Sequence, residues 1–244
     1  MVMARKYLFI VLSCAACTLG MPALSQAADA PTPPAQSWSF TGPFGAYDRG
    51  AARRGFQIYS ETCSNCHAMQ FLHYRDLSSI GFSAAEIEAI AAKVNVPDGF
   101  DAQGKPITVP ATPASQFLSP FADDDAARAA MNGALPPDLS LAVNAFPDGA
   151  NYIFALLTGY RDAPAGVKMA DGMSYNLYFP GHQIAMPPPL GAGQNARDVV
   201  TFLAWAANPE MRQRKHMGFG VVGYFLAMAG VTYVLQRRAW AKVK

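Results

Sequence analysis

The sequence predicts an all-α domain of short helices joined by long irregular loops, carried on a single C-terminal transmembrane helix. In several segments apolar residues recur at helical spacing behind capping residues, whereas period-two alternation is confined to a few short apolar runs. Near the C-terminus, Gly218 to Leu235 is an uncharged run about long enough to cross a hydrocarbon core of about 30 Å. With 244 residues, 51% of them hydrophobic and no internal repeat, one mid-sized domain remains once the membrane-directed ends are set aside.

The first element is a secretory signal over residues 1–27. Arg5 and Lys6 precede the apolar stretch Tyr7 to Leu19, and Ser25-Gln26-Ala27 offers a small-x-small site for cleavage after Ala27. A mitochondrial presequence would be amphipathic and richer in arginine, and Cys14 and Cys17 have poor flanks for a lipid anchor. Ala28 to Gln36, proline-rich and polar, reads as an extended lead-in to an exported domain over residues 28–208.

A helix is expected from about Arg49 to Thr62, carrying Gly55, Phe56 and Tyr59 toward Cys63-Ser64-Asn65-Cys66-His67. A second begins at Ser83, where Ser83 and Glu86 form a capping box ahead of Ile87 and Ile90. Lys93 to Pro120, rich in Pro and Gly, reads as a long surface excursion. Asp124 to Asn132 and Ala150 to Thr158 read as helices that stop at Gly133 and Gly159. The last soluble helix starts near Asn195 and buries Val199, Phe202, Leu203 and Ala206 on one face. Asn208-Pro209, a cap residue followed by a first-turn proline, restarts the chain.

That restart leads into the anchor, residues 209–236. Arg212, Arg214 and Lys215 precede the apolar run and a basic tail, residues 237–244, follows it, so charge bias alone orients the helix weakly. The export signal decides, leaving the tail in the cytoplasm and the domain outside. Gly223 and Ala227, four apart, would permit close approach of another helix.

Cys63-x-x-Cys66-His67 is the attachment signature of a c-type haem. Two intervening residues let both sulfurs bond one edge of the porphyrin while the adjacent imidazole ligates the iron. A zinc site would need two further ligands, yet the other two cysteines lie in the signal. A redox dithiol has no need of His67, and its βαβ context is not visible. The cofactor expected is one covalent haem c.

The sixth iron ligand separates electron carriers from haems that bind or activate small molecules. Among the 11 methionines, Met69 is too close to His67 to reach the opposite face, and others fall in the signal or the membrane stretch. Met186 alone sits in a rigid frame, between Tyr178-Phe179-Pro180-Gly181 and Pro187-Pro188-Pro189. Pro187 biases it toward extended backbone, which makes it the leading candidate.

Charge differs by region. The whole chain carries a formal +2, but residues 28–208 hold ten Lys/Arg against sixteen Asp/Glu. An acidic domain, with Asp123-Asp124-Asp125 as a local cluster, attracts basic soluble partners. Nucleic acid is not an expected ligand.

Arg54-Gly55-Phe56-Gln57-Ile58-Tyr59, Tyr74-Arg75-Asp76-Leu77 and Asn132-Gly133-Ala134-Leu135-Pro136-Pro137-Asp138-Leu139-Ser140 stand in one order with Tyr178-Phe179-Pro180-Gly181 and Ile184-Ala185-Met186-Pro187-Pro188-Pro189. In this ordered set the chain resembles the cytochrome c1 family, the haem subunits of ubiquinol:cytochrome c oxidoreductase. The resemblance implies a class I-like cytochrome c fold, His67 and Met186 as axial ligands, Cys63 and Cys66 as thioether donors, and Arg128 as a haem propionate partner. It implies an electron carrier that takes one electron from a Rieske iron–sulfur protein and gives it to a soluble or tethered cytochrome c, in a dimeric complex with cytochrome b. The catalysed reaction would belong to that complex. With the export signal, the expected location is a bacterial cytoplasmic membrane, single-pass, with the haem domain on the periplasmic side.

Two positions depart from the family. Only Leu190 to Gln194 follow the proline run where the family has a longer loop, and His182 stands where a small or amide residue is commoner. An imidazole four residues before Met186 is a rival iron ligand, ranked behind it. Another membrane-anchored mono-haem cytochrome c, a terminal-oxidase subunit or a free-standing shuttle, is the alternative function. It would carry the same pentapeptide, often with an N-terminal anchor or further haem motifs.

Overall fold

A computed structural model describes residues 30–191 and 194–241. The expected signal, the middle of the short 190–194 loop and the end of the basic tail lie outside the described residues. Helix α1, Arg49–Glu61, starts where the Asp48 carboxylate accepts the Ala51 N–H at 3.1 Å. It ends as the Thr62 N–H bonds back to Ile58 O, and a 3-10 turn, Cys63–Asn65, follows. Strand β1 is Met69–His73, and a second 3-10 turn covers Tyr74–Ile80. Helix α2, Ala84–Ala91, has the expected capping box: Ser83 Oγ accepts the Glu86 N–H at 3.3 Å while Glu86 Oε2 accepts the Ser83 N–H at 2.7 Å.

The all-α expectation needs correcting here, because three two-stranded antiparallel ladders accompany the helices. Strands β2, Asn95–Phe100, and β3, Pro106–Pro110, form a hairpin inside the 93–120 excursion, and β4, Gln116–Phe117, pairs with β1. Strand β5, Ser174–Tyr175, pairs with β6, Gln183–Ile184. These strands leave little trace in the hydropathy pattern. The side chains of β2 and β3 are exposed apart from a half-buried Val96, and two-residue strands are too short to show a period.

The remaining helices are α3, Asp124–Ala130, α4, Ala142–Ala145, α5, Gly149–Thr158, and α6, Ala196–Ala207. Helix α3 ends before Asn132, because Asn132 and Gly133 both take positive φ, 51° and 89°. Helix α6 starts at the expected Asn195 cap, but it is buried all round rather than on one face: Val199, Val200, Phe202, Leu203 and Trp205 are each at most 3% exposed. It packs against α1, α4 and α5. A face that is half-apolar in sequence is therefore covered from several directions.

Gly55 sets the closeness of α1 and α6. A β-carbon there would stand 2.7 Å from Phe202 Cβ and would overlap the Asp198 carbonyl. Phe56 meets Phe202 edge to face at 5.6 Å and Phe82 at 5.3 Å, while Tyr59 packs on Phe202 and Phe117. This aromatic cluster lies directly behind the turn that carries Cys63 to His67.

Helix α7, Met211–Ala241, has 31 residues and is roughly 46 Å long at 1.5 Å per residue, longer than a hydrocarbon core. Its apolar window has a mean hydropathy of 1.7 and is not buried by the rest of the chain. The helix begins two residues later than the expected restart, because Asn208-Pro209-Glu210 is a joint. Asn208 sends its N–H back to Trp205 O at 2.9 Å and its carbonyl accepts the Met211 N–H at 3.1 Å. Its side chain donates to Asn144 Oδ1 at 3.1 Å and accepts from Arg214 at 3.2 Å.

Candidate haem site

The pentapeptide is a compact continuation of α1. The N–H groups of Cys66 and His67 both bond to Cys63 O, at 3.1 and 2.9 Å, while Ser64 Oγ donates back to Ser60 O at 2.9 Å. Asn65 Nδ2 reaches Glu61 O at 3.1 Å. The two thiols are half-buried and not bonded to one another. Burial, and next the neighbouring Cys66, push the Cys63 thiol up to about 11, so it stays protonated rather than acting as a reactive thiolate. Among the described residues no group of three or more His, Cys, Asp or Glu gathers as a zinc site would require.

His67 is held by one bond that fixes its chemistry. Its Nδ1 lies 2.7 Å from the carbonyl oxygen of Pro137, and a carbonyl only accepts, so Nδ1 carries the proton. The lone pair is left on Nε2, the atom a metal would take, and the bond orients the ring as such partners do for metal-bound histidines. Burial lowers the imidazole's basicity, partly countered by the Pro137 bond and the Asp138 charge, which favours the neutral, ligating form.

Pro137 is itself held in place. Asp138 accepts the N–H groups of Gln70 at 2.9 Å and Ser140 at 2.7 Å, the fully buried Ser140 accepts from Phe71 N at 3.1 Å, and Leu139 N donates to Ala68 O at 2.8 Å. The run 137–140 is thereby stitched along residues 67–71. In the sequence this run is the end of the Asn132–Ser140 motif, which carried no assigned role. The available signal was Asp-x-Ser after two prolines, a turn whose carboxylate takes backbone N–H groups.

Met186 lies half-buried just beyond β6, and its backbone carbonyl accepts the Tyr160 hydroxyl at 3.1 Å. Burial raises the Tyr160 phenol well above its ordinary value, so it remains a donor. Asn176, fully buried and unremarked in the sequence, lies at the end of the β5–β6 hairpin that leads to Met186. Its Nδ2 donates to Leu156 O at 2.7 Å, its Oδ1 accepts Tyr178 N at 3.0 Å, and its own N–H donates to His182 O at 2.9 Å. After the proline run, Gln194 reaches Thr62 Oγ1 at 3.5 Å, which returns the chain to the end of α1.

His182 takes a positive φ of 60°. Its ring stacks on Tyr175 at 5.3 Å, and its Nδ1 donates to Asn176 O at 3.2 Å. The Nδ1 bond leaves the Nε2 lone pair open, as it does in His67, so His182 stays a chemical rival to Met186 although its ring is stacked within the β5–β6 hairpin. Arg128 is exposed in the last turn of α3, where Nη1 donates to Gly133 O at 3.3 Å. Among the described residues it has no carboxylate partner. The neighbouring Asp123 caps α3 by accepting Ala126 N at 2.8 Å. A cavity of about 150 Å³ is lined by Cys66, Ala127, Pro137, Asp123 and Asp124 among others.

Unbonded thiols with two residues between them on a tight turn, beside an imidazole whose Nδ1 is tied and whose Nε2 is left to bind, fit the demands of a covalent haem c. The sequence matches the Cytochrome C1 family over residues 38–243. It is similar to "Cytochrome c1 1, heme protein, mitochondrial" of Arabidopsis thaliana, 42% identical over 225 residues that cover 86% of this chain and 73% of that protein. It is 42% identical over 238 residues to "Cytochrome c1" of Rhodospirillum rubrum, covering 86% of this chain and 88% of the relative. The "Cytochrome b-c1 complex catalytic subunit, mitochondrial" of Candida albicans is 38% identical over 226 residues, covering 87% and 78%.

Proposed function

This chain belongs to the cytochrome c1 family, and from that premise we propose that it is the haem-bearing electron-transfer subunit of a ubiquinol:cytochrome c oxidoreductase, taking one electron from a Rieske iron–sulfur protein and passing it to a cytochrome c. The observation that carries the reading is the His67–Pro137 hydrogen bond beside the two unbonded thiols. The names of the relatives, a heme protein and a b-c1 complex subunit, support it from outside the chain.

The chemistry that haem supplies when bound is a one-electron ferric/ferrous couple. Cys63 and Cys66 would hold it by thioether bonds, and His67 and Met186 would ligate its iron. Pro137 keeps the His67 ring oriented and its Nε2 basic, and Tyr160 and Asn176 hold the backbone that presents Met186. A thioether favours the reduced iron over a second imidazole and so raises the potential. Arg128, half-turned onto Gly133, retains N–H groups for a propionate. No side chain has to move a proton, so the chain alone is a carrier and catalysis belongs to the complex.

The arrangement in the membrane is part of the same proposal. Residues 1–27 export the chain, residues 28–208 form the periplasmic haem domain, residues 209–236 anchor it, and residues 237–244 remain cytoplasmic, in a bacterial membrane and within a dimeric complex with cytochrome b. The acidic balance of residues 28–208 would attract a basic acceptor at a rate that falls with salt. Purification in mild detergent tests the proposal. Co-isolation with a b-type cytochrome and a Rieske protein, with quinol-dependent reduction of this haem, is the expected result; isolation alone or with a copper oxidase would overturn it.

A further inference from the structure

Phe44 is the most exposed large apolar side chain among the described residues, at 85%. It sits at the tip of a loop whose base is firmly held. Trp38 is buried, stacks on Phe40 at 5.5 Å and donates to Asn151 Oδ1 at 2.8 Å. Phe40 packs on Tyr47 at 5.4 Å, and the Tyr47 hydroxyl donates to Ala204 O at 2.9 Å. Between these bases the backbone closes tightly: Ala46 N donates to Ser39 O at 2.9 Å, Gly42 has a φ of 75°, and Gly45 has no room for a β-carbon against Phe40 and Thr41. Such a loop holds an aromatic ring outward instead of folding it in.

The loop is also fixed to the membrane helix. Lys215 Nζ donates to Phe40 O at 3.0 Å and Gly45 O at 2.8 Å. One turn further along α7, the Phe219 ring stacks on Phe44, with centroids 5.3 Å apart and planes 14° from parallel. Residues four apart share a helix face, so a cation and an aromatic ring both address the loop. Phe219 is the second residue of the uncharged run Gly218 to Leu235, at the boundary where headgroups give way to acyl chains. Arg212 and Arg214, both exposed, lie on the headgroup side of it.

We propose that the Trp38–Tyr47 loop is a second membrane contact of this chain, with Phe44 seated at the headgroup–acyl boundary beside Phe219. The inference rests on the reading of α7 as a membrane span. The occupant is lipid, because the exposed ring continues the apolar surface of the span and the adjacent cations suit anionic headgroups. Two attachments at one depth would fix the domain's rotation about the membrane normal as well as its height, which a single helix does not.

The test uses the mature, haem-loaded chain from residue 28 onward, in which the remaining cysteines, Cys63 and Cys66, are taken up by thioether bonds, reconstituted in vesicles of phosphatidylcholine and phosphatidylglycerol. Nitroxide labels are placed singly at Phe44→Cys, at Phe225→Cys within the span and at Phe100→Cys on the β2–β3 hairpin. Collisions with oxygen and with a water-soluble nickel chelate are then read by power saturation. Position 44 is expected to lose nickel collisions and gain oxygen collisions as position 225 does, with position 100 remaining aqueous. An aqueous label at 44 beside a lipid-exposed 225 overturns the loop contact alone, and an aqueous 225 overturns the span. A label at 44 shielded from both reagents means protein covers it, which also overturns the loop contact.

Discussion

The guanidinium of Arg54 grips both carboxylate oxygens of Asp198, Nε to Oδ2 at 2.7 Å and Nη2 to Oδ1 at 2.9 Å. The pair ties the helix that leads into the haem turn to the helix that ends the domain. Its two members differ in exposure: the Arg54 side chain is 61% exposed and the Asp198 side chain 9%. Removing the arginine strands a buried carboxylate, whereas removing the carboxylate frees an arginine that water can solvate. Arg54→Ala should therefore lower Tm more than Asp198→Asn does, as read by thermal unfolding followed by circular dichroism.

Gly55 stands one residue away at the same interface. Gly55→Ala drives a methyl into the Asp198 backbone and Phe202, and overpacking of this kind costs about 1–3 kcal/mol. Chemical denaturation should show a lower midpoint at an unchanged slope.

Met186→Leu removes the thioether but keeps the bulk. The haem-loaded variant should lose its sulfur-to-iron charge-transfer band, and its potential should fall markedly. His182→Ala should leave the band in place, because the band requires only the Met186 thioether and the contacts of the His182 ring are with Tyr175 and Asn176. An unchanged band in the first variant, or a lost band in the second, would reverse the ligand assignment.

Cys63→Ser should leave one vinyl group of the porphyrin unsaturated. The pyridine haemochrome band then moves to longer wavelength while haem stays attached through Cys66. Loss of attachment with no shifted species would contradict two-thioether binding.

Glu86 supplies an acid-dependent term. Hydrogen bonding to Arg53, at 2.6 Å, and next to Ser83 lowers its pKa from 4.5 to about 2. A carboxylate whose folded pKa is depressed adds stability above pH 4.5 and loses it as pH falls toward about 2. Glu86→Gln should be less stable than the parent at neutral pH, with the gap closing through that window. The pair is exposed, so the gap is small. Urea midpoints at neutral pH and inside the window measure it.

Much of this was legible in the sequence where one residue type answers one local need. Ser83 and Glu86 announced a capping box and Asn195 a helix start, and the Cys63–His67 spacing pointed to the haem that the names of the relatives carry. What escaped was set by partners distant in sequence. The ring of His67 is oriented by a carbonyl 70 residues away, and a backbone carbonyl has no signature in the residue that bears it. Asn176 looks like any loop asparagine until three segments converge on it. Exposed strands such as β2 and β3 escaped for a different reason: their ladder hydrogen bonds need no apolar face, so no hydropathy rhythm marks them.

Asn208 has a mechanical consequence. With both backbone groups and both ends of its amide engaged, the short joint between the fully buried α6 and the membrane helix has little freedom to bend. The domain stands over the bilayer as a post stands on its footing, not as a float on a line. On the function proposed above, its haem would be held at nearly constant height, so the carriers that exchange electrons with it would do the travelling.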